Sequence, residues 1–112
     1  MATPAIDPVV FAELQATAGA DFVRELVDTF LEEAPPMLAE LGEAHAAGSA
    51  EAFRRAAHSL KSNASTFGAA TLAAMARELE LQGLAAATPA SLAALARQYD
   101  AAAVELKALR DE

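Results

Sequence analysis

The 112-residue sequence has no cysteine, no tryptophan and only two histidines, His45 and His58, which lie well apart. Without cysteine the chain can form neither a disulfide framework nor a thiolate metal site, and two distant histidines do not suggest structural zinc. We therefore expect no metal and no cofactor on this chain. The length suits one domain with a single core, over residues 1–112.

The sequence also has few β-branched and aromatic residues, with five Phe and one Tyr. Alanine dominates the 54% of residues that are apolar, and no alternating run is long enough for a strand. Because alanine has the highest helix propensity, the composition favours helices packed closely through small side chains. We predict an all-α fold.

Long apolar runs are missing too, since none approaches the ~20 residues that a membrane span requires. The first ten residues, MATPAIDPVV, show no basic segment followed by an apolar one, so we expect a cytoplasmic protein with no membrane contact. The net charge of −8 argues against nucleic-acid binding, which needs Lys and Arg to neutralise phosphates. Residues 49–67 are an exception, because Arg54, Arg55 and Lys61 there face only Glu51.

Helix-start and helix-stop signals divide the chain into five helices. Asp7-Pro8 and Thr88-Pro89 each place a capping side chain before a proline, and Gly68 is suited to end a helix. The predicted ranges are a short helix over 8–17 and long helices over 21–47, 50–67, 70–86 and 89–110. Four long helices with short connections predict an antiparallel up-down four-helix bundle, with the short helix across one end.

The longest helix raises two further expectations. Pro35 and Pro36 should kink or briefly break it, because proline lacks a backbone donor and clashes with the preceding turn. Its core face should begin at Phe22 and continue through Leu26 and Phe30 at helical spacing. His45 lies in the last turn, where an imidazole interacts favourably with the carbonyl end of the helix.

The segment 53–68, FRRAAHSLKSNASTFG, holds the residues that suggest chemistry. At about 100° per residue its apolar side chains form one stripe, and His58 points roughly 150° away from the centre of that stripe. The residues Arg54, Arg55, Ser62 and Ser65 share the side of His58, and Lys61 lies at the margin. We therefore predict an exposed histidine in a locally basic patch.

From geometry alone, His58 could equally be an ordinary surface histidine. The combination favours chemistry, because a neutral imidazole is nucleophilic and neighbouring cations would stabilise phosphoryl oxygens attached to it. An enzyme site would instead need a base, an orienting partner and a pocket, and none can be placed from the sequence.

The string AHSLKSNASTFG, continuing through AATLAAMARELE, resembles the histidine phosphotransfer (HPt) domain family of two-component phosphorelays. The match rests on Ala57-His58-x-Leu60-Lys61, Phe67-Gly68, Leu72 and the Leu79-Glu80 pair, and the resemblance extends over roughly residues 8–109. It implies a phosphoprotein of the four-helix-bundle type in signal transduction. The chain would be a carrier without kinase activity or an ATP site.

The resemblance also implies roles for particular residues and partners. His58 would accept a phosphoryl group on Nε2 from a receiver-domain phosphoaspartate and pass it to another receiver aspartate. Lys61 would neutralise phosphoryl oxygens, with Ser62, Arg54, Arg55 and Ser65 as further phosphoryl-stabilising or partner-binding candidates. The implied partners are receivers of response regulators or of a hybrid sensor kinase; Mg²⁺ is expected on the receiver, and we expect the chain itself to be monomeric.

Two positions depart from the family pattern. Ser62 stands where glycine is most common. Glu80 stands, by our count, where some members have a glutamine that hydrogen-bonds the imidazole; it could orient the ring or face solvent. The alternative function is a docking module that binds or sequesters a receiver without phosphoryl transfer, although the intact His58 and Lys61 argue against it.

Overall fold

The computed structural model describes residues 4–112, and all of their regular structure is helical. The α-helices are α1 (Pro8–Ala18), α2 (Ala20–Ala47), α3 (Ala50–Thr66), α4 (Ala70–Gln82) and α5 (Pro89–Arg110), with a 3₁₀ turn over Leu84–Ala86. The prediction of an all-α fold with a short N-terminal helix is confirmed.

The four long helices pack as an antiparallel ring, in which α2 contacts α3 and α5, and α4 contacts α3 and α5. Two contacts fix the directions of α2 and α5. Arg110 Nη1 at the end of α5 donates to Asp28 Oδ1 near the start of α2 at 2.8 Å. At the other end of the bundle, His45 Nε2 bonds the carbonyl oxygen of Ala87 at 3.1 Å, so α2 ends beside the start of α5. The up-down topology is thereby confirmed.

The core combines a few large side chains with many small ones. Phe53, Leu60 and Leu72 are fully buried, and Phe30 stacks edge-on against Tyr99 with ring centroids 5.9 Å apart. Buried alanines allow the helix backbones to approach closely. Nine are in the long helices and one lies just before α4: Ala34, Ala44, Ala56, Ala57, Ala64, Ala73, Ala76, Ala102, Ala103 and Ala69. The pair α3 and α4 makes the most extensive contact in the bundle.

The N-terminal segment is fastened to the bundle where α3 ends. Asp7 caps α1, accepting from the backbone N–H of Val9 at 2.9 Å, and its own N–H donates to the carbonyl of Gly68 at 2.8 Å. The Glu105 carboxylate of α5 accepts the backbone N–H groups of Ala5 and Ile6 at 2.7 and 2.9 Å. These bonds place α1 against α2 and against the turn that follows α3.

Two expectations about α2 need correction. Phe22 is not part of the core stripe; its side chain is 52% exposed, and Val23 is buried in its place. The buried face of this part of α2 runs through Val23, Val27 and Phe30, so it is turned away from Phe22. The helix is also continuous through Pro35 and Pro36, both of which are exposed, so the brief break that was one of the two predicted outcomes does not occur.

The other helix ends agree more closely with the pattern. Helix α4 stops at Gln82 instead of continuing to residue 86, because the chain turns at Gly83 into the 3₁₀ segment. Ser49 stands at the N-cap of α3, but its side chain makes no capping hydrogen bond. Thr88 forms a complete capping box with Ser91 ahead of α5.

Candidate functional site

His58 lies in the middle of α3 and projects from the bundle, with 57% of its side chain exposed. The buried neighbours on the same helix, Phe53 and Leu60, point the opposite way into the core. This is the orientation that the helical wheel predicts, and it follows from a 3.6-residue period in which the apolar stripe excludes position 58. The imidazole is therefore accessible to another protein.

A carboxylate from the neighbouring helix joins His58 to Lys61. The Oε2 atom of Glu80 on α4 lies 2.7 Å from His58 Nδ1, and its Oε1 atom accepts from Lys61 Nζ at 2.8 Å. The sequence left open whether Glu80 contacts the ring or faces solvent; in the structure it contacts the ring. Glu80 and Lys61 are more shielded than the histidine, with 14% and 27% of their side chains exposed.

The contact with Glu80 assigns the two ring nitrogens of His58. An ionised carboxylate can only accept hydrogen bonds, so Nδ1 carries the proton and donates to Oε2. In the neutral ring, Nε2 then has the free lone pair. The nitrogen held by the protein is thus the protonated one, and the nucleophilic nitrogen is left for a partner.

The electrostatics favour an ionised Glu80. The hydrogen bond from Lys61 is the main cause that holds the pKa of the Glu80 carboxyl below its ordinary value, and the bond from His58 adds to it, while burial opposes the shift. Since the pKa is lowered from an already acidic value, the group is a carboxylate at neutral pH. It can therefore accept from both partners at once.

The remaining predicted site residues are exposed around the histidine. Arg54 and Arg55 lie one turn before His58 on α3, Ser62 lies one turn after it, and Ser65 lies two turns after it. Arg55 also borders an open groove between α2 and α3, whose opposite rim carries Glu40 and Glu43. The surface around His58 is thus basic along α3 and acidic along α2.

The other histidine has different surroundings. His45 is half-buried, and because a carbonyl only accepts, its Nε2–H donates to Ala87 in the connection before α5. The bond is to this connection and not to the carbonyls that end its own helix. His45 thus ties the end of α2 to the start of α5.

A family model described as the Hpt domain matches residues 25–109 of this chain. The chain belongs to the Hpt domain family. Among solved structures, this Hpt domain is similar to histidine-containing phosphotransfer protein B (HptB) from Pseudomonas aeruginosa PAO1, with 33% sequence identity and a TM-score of 0.88. The alignment covers 98% of this chain and 97% of that one. Among curated proteins, no significant match is found.

The ion pair between Lys61 and Glu80 is the feature that sequence reasoning missed. The sequence suggested Lys61 as a partner for phosphoryl oxygens and Glu80 as a possible partner for the ring, without linking the two. The only available signal was their opposite charge on consecutive helices, and its use requires the register between α3 and α4.

None of the helices within residues 4–112 is both long and apolar enough to cross a membrane.

Proposed function

We propose that this Hpt domain is a phosphorelay intermediate in which His58 carries the phosphoryl group. The observation that supports this most strongly is the arrangement of the ring: Nδ1 is bonded to Glu80 at 2.7 Å while the ring as a whole is 57% exposed. A ring fixed at Nδ1 presents Nε2 in one orientation to any protein that docks on α3. Glu80 is thus the residue that orients the imidazole.

The donor is the phosphoaspartate of a receiver domain. Nε2 attacks the phosphorus atom, the N–P bond forms, and the O–P bond to the aspartate breaks so that the receiver carboxylate leaves. A second receiver aspartate later reverses these changes. The Mg²⁺ and its ligands belong to the receiver, so this chain supplies an accessible, oriented nucleophile with a cation nearby and is a carrier, not a kinase.

Lys61 supplies a cation that bonds the same carboxylate as the ring. Its ammonium group bonds Glu80 at 2.8 Å, on the same carboxylate that holds Nδ1. A phosphoryl group on Nε2 brings further negative charge, which a nearby ammonium stabilises through charge-assisted hydrogen bonds. Arg54, Arg55, Ser62 and Ser65 form the exposed rim where the receiver docks. The receivers are those of response regulators or of a hybrid sensor kinase in the cytoplasm, and the carrier acts as a monomer.

Phosphotransfer from a receiver tests the proposal. Incubation with a receiver phosphorylated with labelled phosphate should transfer the label to this protein through an acid-labile, base-stable linkage. His58→Gln should abolish labelling with the helical circular dichroism unchanged, whereas the matched control His45→Gln should keep it. Label retained by His58→Gln would refute the assignment, and receiver binding without any labelling would indicate the docking module instead.

The proposed contribution of Lys61 has its own test. Lys61→Ala should slow transfer or shorten the lifetime of the phosphohistidine, because the phosphoryl oxygens lose a cation. The exposed Lys107 of α5 offers a control in Lys107→Ala, which removes the same charge from a different helix. Equal transfer rates and lifetimes in both variants would show that Lys61 has no part in the reaction.

A further inference from the structure

We propose that Glu80 keeps the proton on Nδ1 of His58 while the phosphoryl group is attached, so that the imidazole leaves as a neutral group when the phosphoryl group moves on. This inference rests on the proposed phosphotransfer function and goes beyond the orientation of the ring. Glu80 touches neither the phosphorus atom nor the receiver, and it is therefore a positioning residue that acts through His58.

The geometry restricts how the proton can be exchanged. The Nδ1–H bond to Oε2 is 2.7 Å long, and the carboxylate is only 14% exposed although the ring is 57% exposed. Its second oxygen is occupied by Lys61, so Oε2 remains directed at the ring. The exposed part of the imidazole thus surrounds Nε2, while Nδ1 is on the side covered by α4.

The proton balance of the two transfers shows why this matters. When neutral His58 attacks through Nε2 with Nδ1 protonated, the product is a phosphoimidazolium whose ring carries a positive charge. In the onward step the acceptor carboxylate forms an O–P bond, the N–P bond breaks, and the electron pair returns to Nε2 of a neutral imidazole. If Nδ1 had lost its proton, the leaving group would be an imidazolate anion, which is a far stronger base and leaves much more slowly.

The cations near the ring act against a positive charge on it. Arg54, Arg55 and Lys61 surround it on α3, and Arg77 lies one turn before Glu80 on α4. On α2, Glu40 lines the neighbouring groove together with Ser59, the residue that follows His58. Within residues 4–112, Glu80 is the carboxylate that bonds the ring directly, and an adjacent carboxylate favours the protonated form of an imidazole. Removing its charge should therefore release the Nδ1 proton at lower pH.

The pH dependence of onward transfer tests this inference, with Glu80→Gln as the variant and Glu78→Gln as the control on the exposed face of the same helix. Phosphorylated protein is mixed with unphosphorylated receiver between about pH 6 and pH 9, and each rate is divided by that of the control. The ratio should be constant for wild type. For Glu80→Gln it should fall with rising pH, approaching about tenfold per pH unit once the proton is lost.

A second measurement does not depend on the variant. In the ¹⁵N-labelled phosphorylated wild type, the ring resonances should show a protonated Nδ1 at neutral pH. A pH-independent ratio for Glu80→Gln, or an unprotonated Nδ1 at neutral pH in the wild type, would overturn the inference while leaving labelling of His58 intact. Failure of wild type to be labelled would instead overturn the proposed function itself.

Discussion

Gly48 and Gly68 form a natural comparison, because both have left-handed backbone conformations, with φ of +71° and +77°, but only one is closely packed. A Cβ atom at Gly48 would meet nothing within 4 Å. At Gly68 it would lie 2.8 Å from the Cβ of Val10 and 3.2 Å from the carbonyl oxygen of Asp7. Alanine substitutions at the two sites should therefore differ in free energy of unfolding although the backbone penalty is similar.

The expected magnitudes follow from two contributions. A non-glycine residue in the left-handed region costs about 1–2 kcal/mol, which is the whole effect expected for Gly48→Ala. Overpacking adds about 1–3 kcal/mol, so Gly68→Ala should destabilise the protein by about 3 kcal/mol. Part of this reflects the Asp7 N–H bond to Gly68, which must lengthen if α1 moves away.

Urea unfolding followed by circular dichroism measures both free energies. Val10→Gly is the further control, because it removes both Cβ and Cγ1, the two side-chain atoms that a Cβ at Gly68 would approach most closely. In that background the effect of Gly68→Ala should shrink towards that of Gly48→Ala. Equal losses for the two glycine variants in the wild-type background would refute the argument from close packing.

Three other outcomes can be measured by urea unfolding. Leu60→Ala should cost about 2–5 kcal/mol because Leu60 is fully buried, whereas Phe22→Ala removes a larger but exposed side chain and should change stability by less than about 0.5 kcal/mol; similar losses would contradict the assigned core. Glu105→Ala should cost about 2 kcal/mol and speed hydrogen exchange at the two backbone amides it accepts; unchanged exchange would show that the N-terminal segment is held otherwise. The Lys61 hydrogen bond is the main cause that lowers the pKa of Glu80, so the carboxylate stabilises the fold above the ordinary pKa of 4.5 and ceases to do so as the pH falls through the lower pKa of the folded state. The difference in free energy of unfolding between wild type and Glu80→Gln should therefore narrow from about pH 6 to about pH 3. A constant difference would contradict this linkage.

Much of the fold could be predicted because this sequence states its helix ends locally. Asp7-Pro8, Thr88-Pro89 and Gly68 all mark ends that the structure has within a residue or two. The outward direction of His58 could be predicted for a similar reason, since α3 has the sharpest separation of apolar and polar faces in the chain. Local patterns of this kind need no knowledge of neighbouring helices.

The predictions from the sequence were wrong or incomplete where the outcome depended on contacts with other helices. Spacing alone predicts Phe22 in the core, but Val23 is buried there instead, because burial depends on which face of α2 meets the neighbouring helices. The contact between Glu80 and His58 was left open because it needs the register of α4 on α3, which is set by tertiary packing. The composition showed that the helices could approach closely without showing where along their lengths they would meet.

The large number of buried alanines affects how well the contact between His58 and Glu80 tolerates substitutions elsewhere in the helices. His58 and the Glu80 carboxylate that bonds its ring belong to separate helices, and their 2.7 Å separation depends on how closely those helices approach. Ala57 of α3 and Ala76 of α4 are fully buried in these two helices and have no chemical function of their own. A slightly larger side chain at such a position would move α3 and α4 apart and weaken the hydrogen bond between Glu80 and His58, although every polar group remained in place. The distance between His58 and Glu80 therefore depends on residues that have no reactive group.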